Sequence, residues 1–126
     1  MQIGKLDHVN VRTTHLEPMI AWYSEVLGLR HGNRPEFPFP GAWMYAGETA
    51  VVHLVLNTGS PGAGSEIELK IEHFAFSATG RAAFEKKLTD RGDRFRCAEL
   101  PAINIIQFNV WDPDGNHIHV DFPLDE

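Results

Sequence analysis

An internal repeat constrains this sequence more than any other feature. Residues 6–11 and 71–76 share one pattern: an apolar residue, an acidic residue and a histidine, followed by alternation of apolar with other residues. Both copies carry two histidines at matching positions: His8 and His53, then His73 and His119. The offsets are 65 and 66 residues, and a helical pattern follows the first histidine of each copy. The repeat therefore predicts two similar modules, each with the order strand, helix, strands.

Alternation along several segments predicts strands with one apolar and one polar face. The predicted strands cover residues 6–12, 29–34, 42–46, 51–57, 71–76, 104–111 and 117–122. In the last strand, Ile118, Val120 and Phe122 share one face, and His117, His119 and Asp121 share the other. The preceding Asp-Pro-Asp-Gly-Asn sequence, residues 112–116, is typical of a tight turn. Polar faces that carry histidine predict the lining of a cleft.

Each copy also contains one amphipathic helix. Apolar residues recur with helical spacing from Leu16 to Leu27, and Gly28 is suited to end that helix. Thr13 or Thr14 could cap its beginning. In the second copy, Ala82, Phe84 and Leu88 mark a helix that ends near Arg91-Gly92.

One loop in the first copy is unusually stiff. Residues 34–41 contain three prolines and two phenylalanines, which exclude regular structure and hold Phe37 and Phe39 on an extended segment. Two interpretations remain open. The phenylalanines could cover an edge of the core, or the loop could form a lid over a pocket.

Length and composition set the remaining limits. The 126 residues are 43% hydrophobic, as expected for a single domain with one core. We expect module 1 at about residues 4–57, a Gly-, Ser- and Pro-rich linker at about 58–70, and module 2 at about 71–123. A net charge of −6 disfavours nucleic acid and anionic membranes as partners. The single cysteine, Cys97, predicts a reducing compartment and a buried or inert thiol. With no signal peptide or membrane span expected, the prediction is a cytoplasmic protein.

Together these features resemble the vicinal oxygen chelate superfamily, which includes glyoxalase I, extradiol dioxygenases, and fosfomycin- and bleomycin-resistance proteins. The resemblance rests on the paired modules, on the helix end from Trp22 to Leu29, and on the Asp-Pro-Asp-Gly-Asn turn. It implies an α+β fold in which two βαβββ modules form an eight-stranded mixed sheet around a cleft, with helices outside. It also implies a small-molecule substrate, a divalent metal and a homodimer, with metal ligands on the first and last strands of each module.

Carried over by position, the metal ligands implied by the resemblance are His8, His53, His73 and His119. His117 shares the polar face of the last strand but lies outside this pattern, so it is expected to support the site. Many relatives have glutamate at the position of His119, and glyoxalase I also has one at that of His53. Four neutral imidazoles leave the ion its full double charge, which attracts anionic or enolate-like oxygens. Imidazole suits iron, zinc and nickel alike, so the metal is not identified.

Three hypotheses for function follow. The first is a dioxygenase-like enzyme on Fe(II), with a pocket shaped by Asn10, Arg12, Trp43, Tyr45, Gln107 and Asn109. The second is a glyoxalase-like lyase or isomerase on zinc or nickel, in which Asp121 is the candidate base. The third is a binding protein that sequesters a small molecule, for which four histidines are unnecessary. A fosfomycin-type transferase is disfavoured, because only Arg12 and Arg34 are obvious partners for a phosphonate.

Overall fold

A computed structural model of the chain describes residues 1–59 and 69–126. The chain divides into two compact units, Met1–Gly62 and Ala63–Glu126, which we call module 1 and module 2. The larger part of the predicted linker, residues 60–68, lies outside the described residues. In the described part of the chain, no helix is long and apolar enough to span a membrane.

Module 1 is a four-stranded mixed sheet with one helix. Its elements are β1 (Val9–Thr13), α1 (Leu16–Glu25), β2 (Arg30–Gly32), β3 (Gly41–Ala46) and β4 (Thr49–Leu56). The strand order is β1-β4-β3-β2, in which β1 is parallel to β4 and the other pairs are antiparallel. The helix lies against β3 and β4. The core includes Met19, Tyr23, Met44, Val52 and Leu54, all fully buried.

Module 2 repeats this topology. Its elements are β5 (Phe74–Ser77), α2 (Arg81–Arg91), β6 (Phe95–Leu100), a short 3₁₀ helix (Pro101–Ile103), β7 (Ile105–Trp111) and β8 (His117–Pro123). The strand order is β5-β8-β7-β6, with β5 parallel to β8. Phe84 of α2 contacts the rings of Phe108 and Phe122, which fixes the helix on β7 and β8.

The predicted α+β class, with two βαβββ modules and eight strands, is confirmed. The eight strands pair as two four-stranded sheets, one in each module. Strand β6 was not predicted from the sequence. Cys97 on β6 is exposed rather than buried, and desolvation raises the pKa of its thiol, which disfavours the reactive thiolate.

Gly92 is the C-cap of α2 with a φ of 73°, as predicted. Gly28 also has a positive φ, of 69°, but α1 ends earlier than predicted, at Glu25, and its C-cap is Val26. The cap of α1 differs from the prediction. Its N-cap residue is His15, which has no side-chain cap, and the Thr13 hydroxyl accepts the His15 amide instead, at 2.9 Å.

Candidate metal centre

In module 1, the fold brings His8 and His53 together. His8 precedes β1, and His53 lies on β4 on the face opposite the buried Val52 and Leu54. Their rings stack with centroids 3.9 Å apart and planes 12° apart. Trp43 of β3, the cross-strand partner of His53, stacks on it at 4.1 Å.

The carboxylate before His8 fixes that ring. His8 Nδ1 donates to Asp7 Oδ2 at 2.7 Å, so Nε2 is left as the atom with a free lone pair. This hydrogen bond is the main cause that lowers the pKa of Asp7. Burial and then the nearby His8 lower the pKa of His53, which favours its neutral form. Neutral imidazole is the form that binds metals.

In module 2, His73 and His119 form a matching pair. His73 precedes β5, and His119 lies on β8 opposite Ala75 of β5 and Asn109 of β7. The two rings stack with centroids 3.6 Å apart and planes 17° apart. Burial, and next the nearby His73, lowers the pKa of His119.

Glu72 occupies the position that Asp7 has in module 1. Its Oε2 accepts from Nδ1 of His73, and its Oε1 accepts from Nδ1 of His117 at 2.6 Å. The hydrogen bond from His73, followed by that from His117, lowers the pKa of Glu72 to about 2. Glu72 is therefore an anion over the whole physiological range.

Three histidines of module 2 lie close enough to share an ion. Ligand atoms of His73, His117 and His119 all lie within 4.8 Å of one another. His117, however, is buried, and both its ring nitrogens face acceptors: Glu72, and the Asn109 side-chain oxygen at 2.9 Å from Nε2. A ring that donates from both nitrogens offers no lone pair to a metal. The hydrogen bonds of His117 therefore argue against it as a ligand, although its ring lies within reach of the other two.

The two histidine pairs fit a divalent transition metal. Each pair presents two rings in close contact, and the Nδ1 atoms of His8 and His73 are held by carboxylates. Carboxylate-bound imidazole is the common arrangement around metal-binding histidines, because it fixes the tautomer and makes the other nitrogen more basic.

Asp121 lies two residues beyond His119 on the same strand, opposite Ser77 and Gln107. Its Oδ1 is buried and makes no hydrogen bond within the part of the chain that the structure describes. A buried carboxylate oxygen without a donor is costly unless a ligand or water supplies one. Asp121 is therefore suited to receive a proton or a hydrogen bond.

The predicted pocket residues differ in their surroundings. Asn10 is exposed beside His53, its partner in the parallel register, and Arg12 is exposed two residues further along β1. Tyr45 donates its hydroxyl to the Asn33 carbonyl at 2.6 Å. Asn109 is bonded to Arg96 and His117, so its side chain supports other residues.

The proline-rich loop presents its rings to solvent. Phe37 and Phe39 stack at 5.2 Å and are 42% and 41% exposed, so they do not cover the core. The Arg34 guanidinium lies 4.9 and 5.1 Å from the two ring centres. Residues 34–40 line an open groove of about 620 Å³. This exposure disfavours the first interpretation of the loop, and the lid over a pocket stays a prediction.

Sequence reasoning gave no role to several residues beside the histidines. Asp7 and Glu72 were visible as part of the repeat, and that recurrence was the signal that could have identified them. Arg94 and Arg96 were missed together with β6. Arg94 lies 3.7 Å from the centre of the Trp111 ring, which in turn stacks on His117.

Comparison with known proteins establishes the family. A family model described as "Glyoxalase/Bleomycin resistance protein/Dioxygenase superfamily" matches residues 5–120. The chain belongs to this superfamily. The resemblance inferred from the sequence is thereby confirmed. No curated protein matches the chain.

Solved structures of the superfamily share its fold over nearly the whole chain. A protein from Bacillus anthracis described as a glyoxalase family protein has a TM-score of 0.78 at 25% identity, covering 98% of each chain. A lactoylglutathione lyase from Agrobacterium tumefaciens has a TM-score of 0.67 at 16% identity, covering 97% of this chain and 96% of its own. TnmS3, an antibiotic-binding protein from Streptomyces sp. CB03234, has a TM-score of 0.69 at 19% identity, covering 98% of each. The last two likenesses concern the fold alone.

Proposed function

We propose that this protein is a metal-dependent, dioxygenase-like enzyme that acts on a small substrate with neighbouring oxygen atoms. The proposed ligands are His8, His53, His73 and His119, and iron is the proposed metal. The observation that carries the proposal is the presence of two stacked histidine pairs, one in each module. When bound, a divalent ion would act as a Lewis acid toward the oxygens of the substrate.

The carboxylates near the histidines support an all-imidazole ligand set. Asp7 and Glu72 hold the Nδ1 atoms of His8 and His73. Because these two carboxylates bind the histidine rings, they are not proposed to bind the ion. The charge of the ion would then not be compensated by a carboxylate ligand. Such a site favours anionic oxygens, as in a deprotonated diol.

The remaining site residues are proposed to form the substrate pocket. Trp43 stacks on His53, and Asn10 lies beside it, so both can contact a substrate bound at that histidine. Gln107 lies opposite Asp121 in the β7–β8 register. Arg12, Tyr45 and Asn109 complete the proposed pocket, with Tyr45 and Asn109 acting mainly through the contacts that hold them.

A lyase or isomerase is the second candidate, and one observation favours it. The buried Oδ1 of Asp121 has no partner among the described residues, as a general base awaiting a substrate proton would. Zinc or nickel would suit that chemistry. A binding protein comparable to TnmS3 is the third candidate, supported by the shared fold.

The deciding experiment is the metal content of tag-free protein expressed with iron, zinc and nickel all available. We expect wild type to contain iron, and His53→Ala and His119→Ala each to contain less. His31→Ala, which alters an exposed histidine on β2, two strands from β4 in the sheet of module 1, serves as the matched control and should retain the metal. Iron-loaded protein should then consume oxygen with a catechol from a panel of diols.

Other outcomes discriminate among the alternatives. Zinc or nickel, with turnover of an α-ketoaldehyde–thiol adduct that Asp121→Asn abolishes, would support the lyase. Metal retained in His53→Ala but lost in His119→Ala would exclude His53 from the ligands. If wild type binds no metal after anaerobic reconstitution, the binding-protein candidate takes precedence.

We also propose that the protein is a cytoplasmic homodimer, as is common in this superfamily. Sedimentation velocity over a range of concentrations tests the oligomeric state. A sedimentation coefficient of a monomer of 14.2 kDa throughout that range would contradict the dimer.

A further inference from the structure

A continuous chain of hydrogen bonds in module 2 ends at His73. It begins at the Arg96 guanidinium, whose Nη2 donates to the Asn109 side-chain oxygen at 3.3 Å. That oxygen also accepts from His117, whose opposite ring nitrogen donates to Glu72 at 2.6 Å. Glu72 accepts from His73 with its other oxygen. Five side chains, from β6, β7, β8 and the segment before β5, are thus linked.

The direction of each bond in this chain is determined by its chemistry. The Asn109 amide group donates to the Arg96 carbonyl at 3.2 Å, so its oxygen faces the Arg96 guanidinium and His117. His117 must therefore donate through Nε2. The Glu72 carboxylate can only accept, so His117 and His73 both donate to it through Nδ1. His73 is left with a free lone pair on Nε2.

The middle of the chain is rigid. The side chain of His117 is 3% exposed, and Trp111 stacks on it with planes 9° apart. Arg94 covers the ring of Trp111. Glu72 itself is half exposed, and His117 and His73 hold it from both sides. A carboxylate held by a buried donor can orient the exposed ring of His73 better than a mobile one could.

We propose that Glu72 and His117 are positioning residues that hold His73 with Nε2 available to a metal, and that His117 itself is not a ligand. This inference rests on the proposed metal-binding function. His117 acts on the metal only through Glu72 and His73. In the three-histidine cluster of module 2, His73 and His119 are therefore the ligands, and His117 supports His73 through Glu72.

Module 1 supplies an internal comparison. Asp7 binds His8 Nδ1 as Glu72 binds His73, but the residue of β4 that corresponds to His117 is Val51. Valine cannot donate to a carboxylate, so Asp7 has no counterpart of the His117 hydrogen bond. Loss of the carboxylate should therefore matter less in module 1 than in module 2.

The first test measures cobalt(II) affinity of the full chain by titration and equilibrium dialysis. We expect Glu72→Gln and His117→Gln each to weaken binding about 10- to 100-fold, the range found when such supporting partners are removed. The double variant should bind cobalt no more weakly than whichever single variant has the lower affinity, because both changes interrupt the same chain of hydrogen bonds. Asp7→Asn is the matched control, and it should weaken cobalt binding less than Glu72→Gln does.

The second test determines the tautomer of His73 directly. Long-range ¹H–¹⁵N correlation spectra of metal-free wild type should show His73 protonated at Nδ1, and Glu72→Gln should shift that ring toward the Nε2-protonated tautomer. Circular dichroism identifies any variant that fails to fold, and the wild-type spectrum remains informative in that case.

Two results would overturn the inference. One is an Nε2-protonated His73 in metal-free wild type. The other concerns cobalt affinity. If His117→Gln lowers it by the same factor in the Glu72→Gln background as in wild type, His117 acts independently of Glu72, as a ligand would. Failure of the proposed function looks different: wild type binds no cobalt, yet His73 has the expected tautomer and Glu72→Gln changes it.

Discussion

At the scale of single residues, Phe108 carries the packing of module 2. It is fully buried, and its ring lies 5.6, 5.9 and 5.4 Å from those of Phe84, Phe95 and Phe122. Replacement by alanine leaves a cavity between helix and sheet. We expect Phe108→Ala to lower the free energy of unfolding by about 3–5 kcal/mol, measured by urea denaturation.

Phe39→Ala is the matched control for this change, because it removes the same atoms from an exposed position. It should alter the free energy of unfolding by less than about 0.5 kcal/mol. An equal loss in the two variants would mean that Phe39 packs as a core residue.

Asp112 organises the turn before β8. It is 4% exposed, and its carboxylate accepts the amides of Asp114 and Asn116 and the Asn116 side chain, at 2.9–3.0 Å. Asp112→Ala leaves those donors unsatisfied, with an expected cost of about 1–3 kcal/mol. Thermal denaturation checks this, and Asp112→Asn, which keeps one acceptor oxygen, should recover part of the loss.

The sequence predicted residue positions well where strand periodicity controls them. Alternation placed His53, His119 and Asp121 on the face opposite the core, and the structure agrees. The predicted strands 6–12 and 71–76 begin too early, because β1 and β5 begin at Val9 and Phe74. Asp7 and Glu72 precede these strands, so the predicted alternation could not give the direction of their side chains. Their roles depend on which ring nitrogen they contact.

At the scale of elements, the start of α2 depends on a distant carboxylate. Gly80, its N-cap residue, has no side chain to cap the helix, and Glu126 accepts the amides of Gly80 and Arg81 at 2.6–2.9 Å instead. The hydrogen bond from the Arg81 amide, then that from Gly80, lowers the pKa of Glu126 below its ordinary value. A negative group is favoured at this helix end.

A lowered pKa makes this stabilisation depend on pH in a known direction. The unfolded chain binds the proton more tightly, so the contribution of Glu126 is fully present above its ordinary pKa of 4.5. It is lost as the pH falls through the lower pKa of the folded state. We expect Glu126→Gln to reduce the melting temperature at neutral pH, with the difference from wild type shrinking as the pH falls below 4.5.

The exposed Glu48→Gln in the turn between β3 and β4 is the control for that comparison. Its melting temperature should follow wild type across the same range. A Glu126→Gln difference that is independent of pH would contradict an electrostatic role for the carboxylate.

Element boundaries show where sequence patterns fail. Strand β6 has no strict alternation, and its residues are mostly exposed, so no periodic signal marks it. Its pairing with β7 over six residue pairs is what makes it a strand. The predicted cap of α1 was also wrong. The Thr13 hydroxyl accepts the amide of His15 before the helix begins, so it does not cap the helix.

At the scale of the whole molecule, duplication was the most informative signal. It predicted matching modules, and the two sheets have the same order and the same single parallel pair. The pairing partners could not be predicted, because contacts such as Asn10 with His53 join residues far apart in sequence. Local patterns contain no information on which distant strand lies alongside.

Metal binding should stabilise the protein if the proposed histidine ligands hold the ion. A ligand that binds only the folded state adds about 2.7 kcal/mol to the free energy of unfolding at about 100 times its Kd. We expect zinc at that level to raise the stability of metal-free wild type and of His31→Ala by this amount, measured by urea denaturation. Chelation should reverse the gain. His53→Ala should gain less at the same zinc concentration, because only three of the four proposed ligands remain. An undiminished gain in His53→Ala would show that His53 is not a ligand.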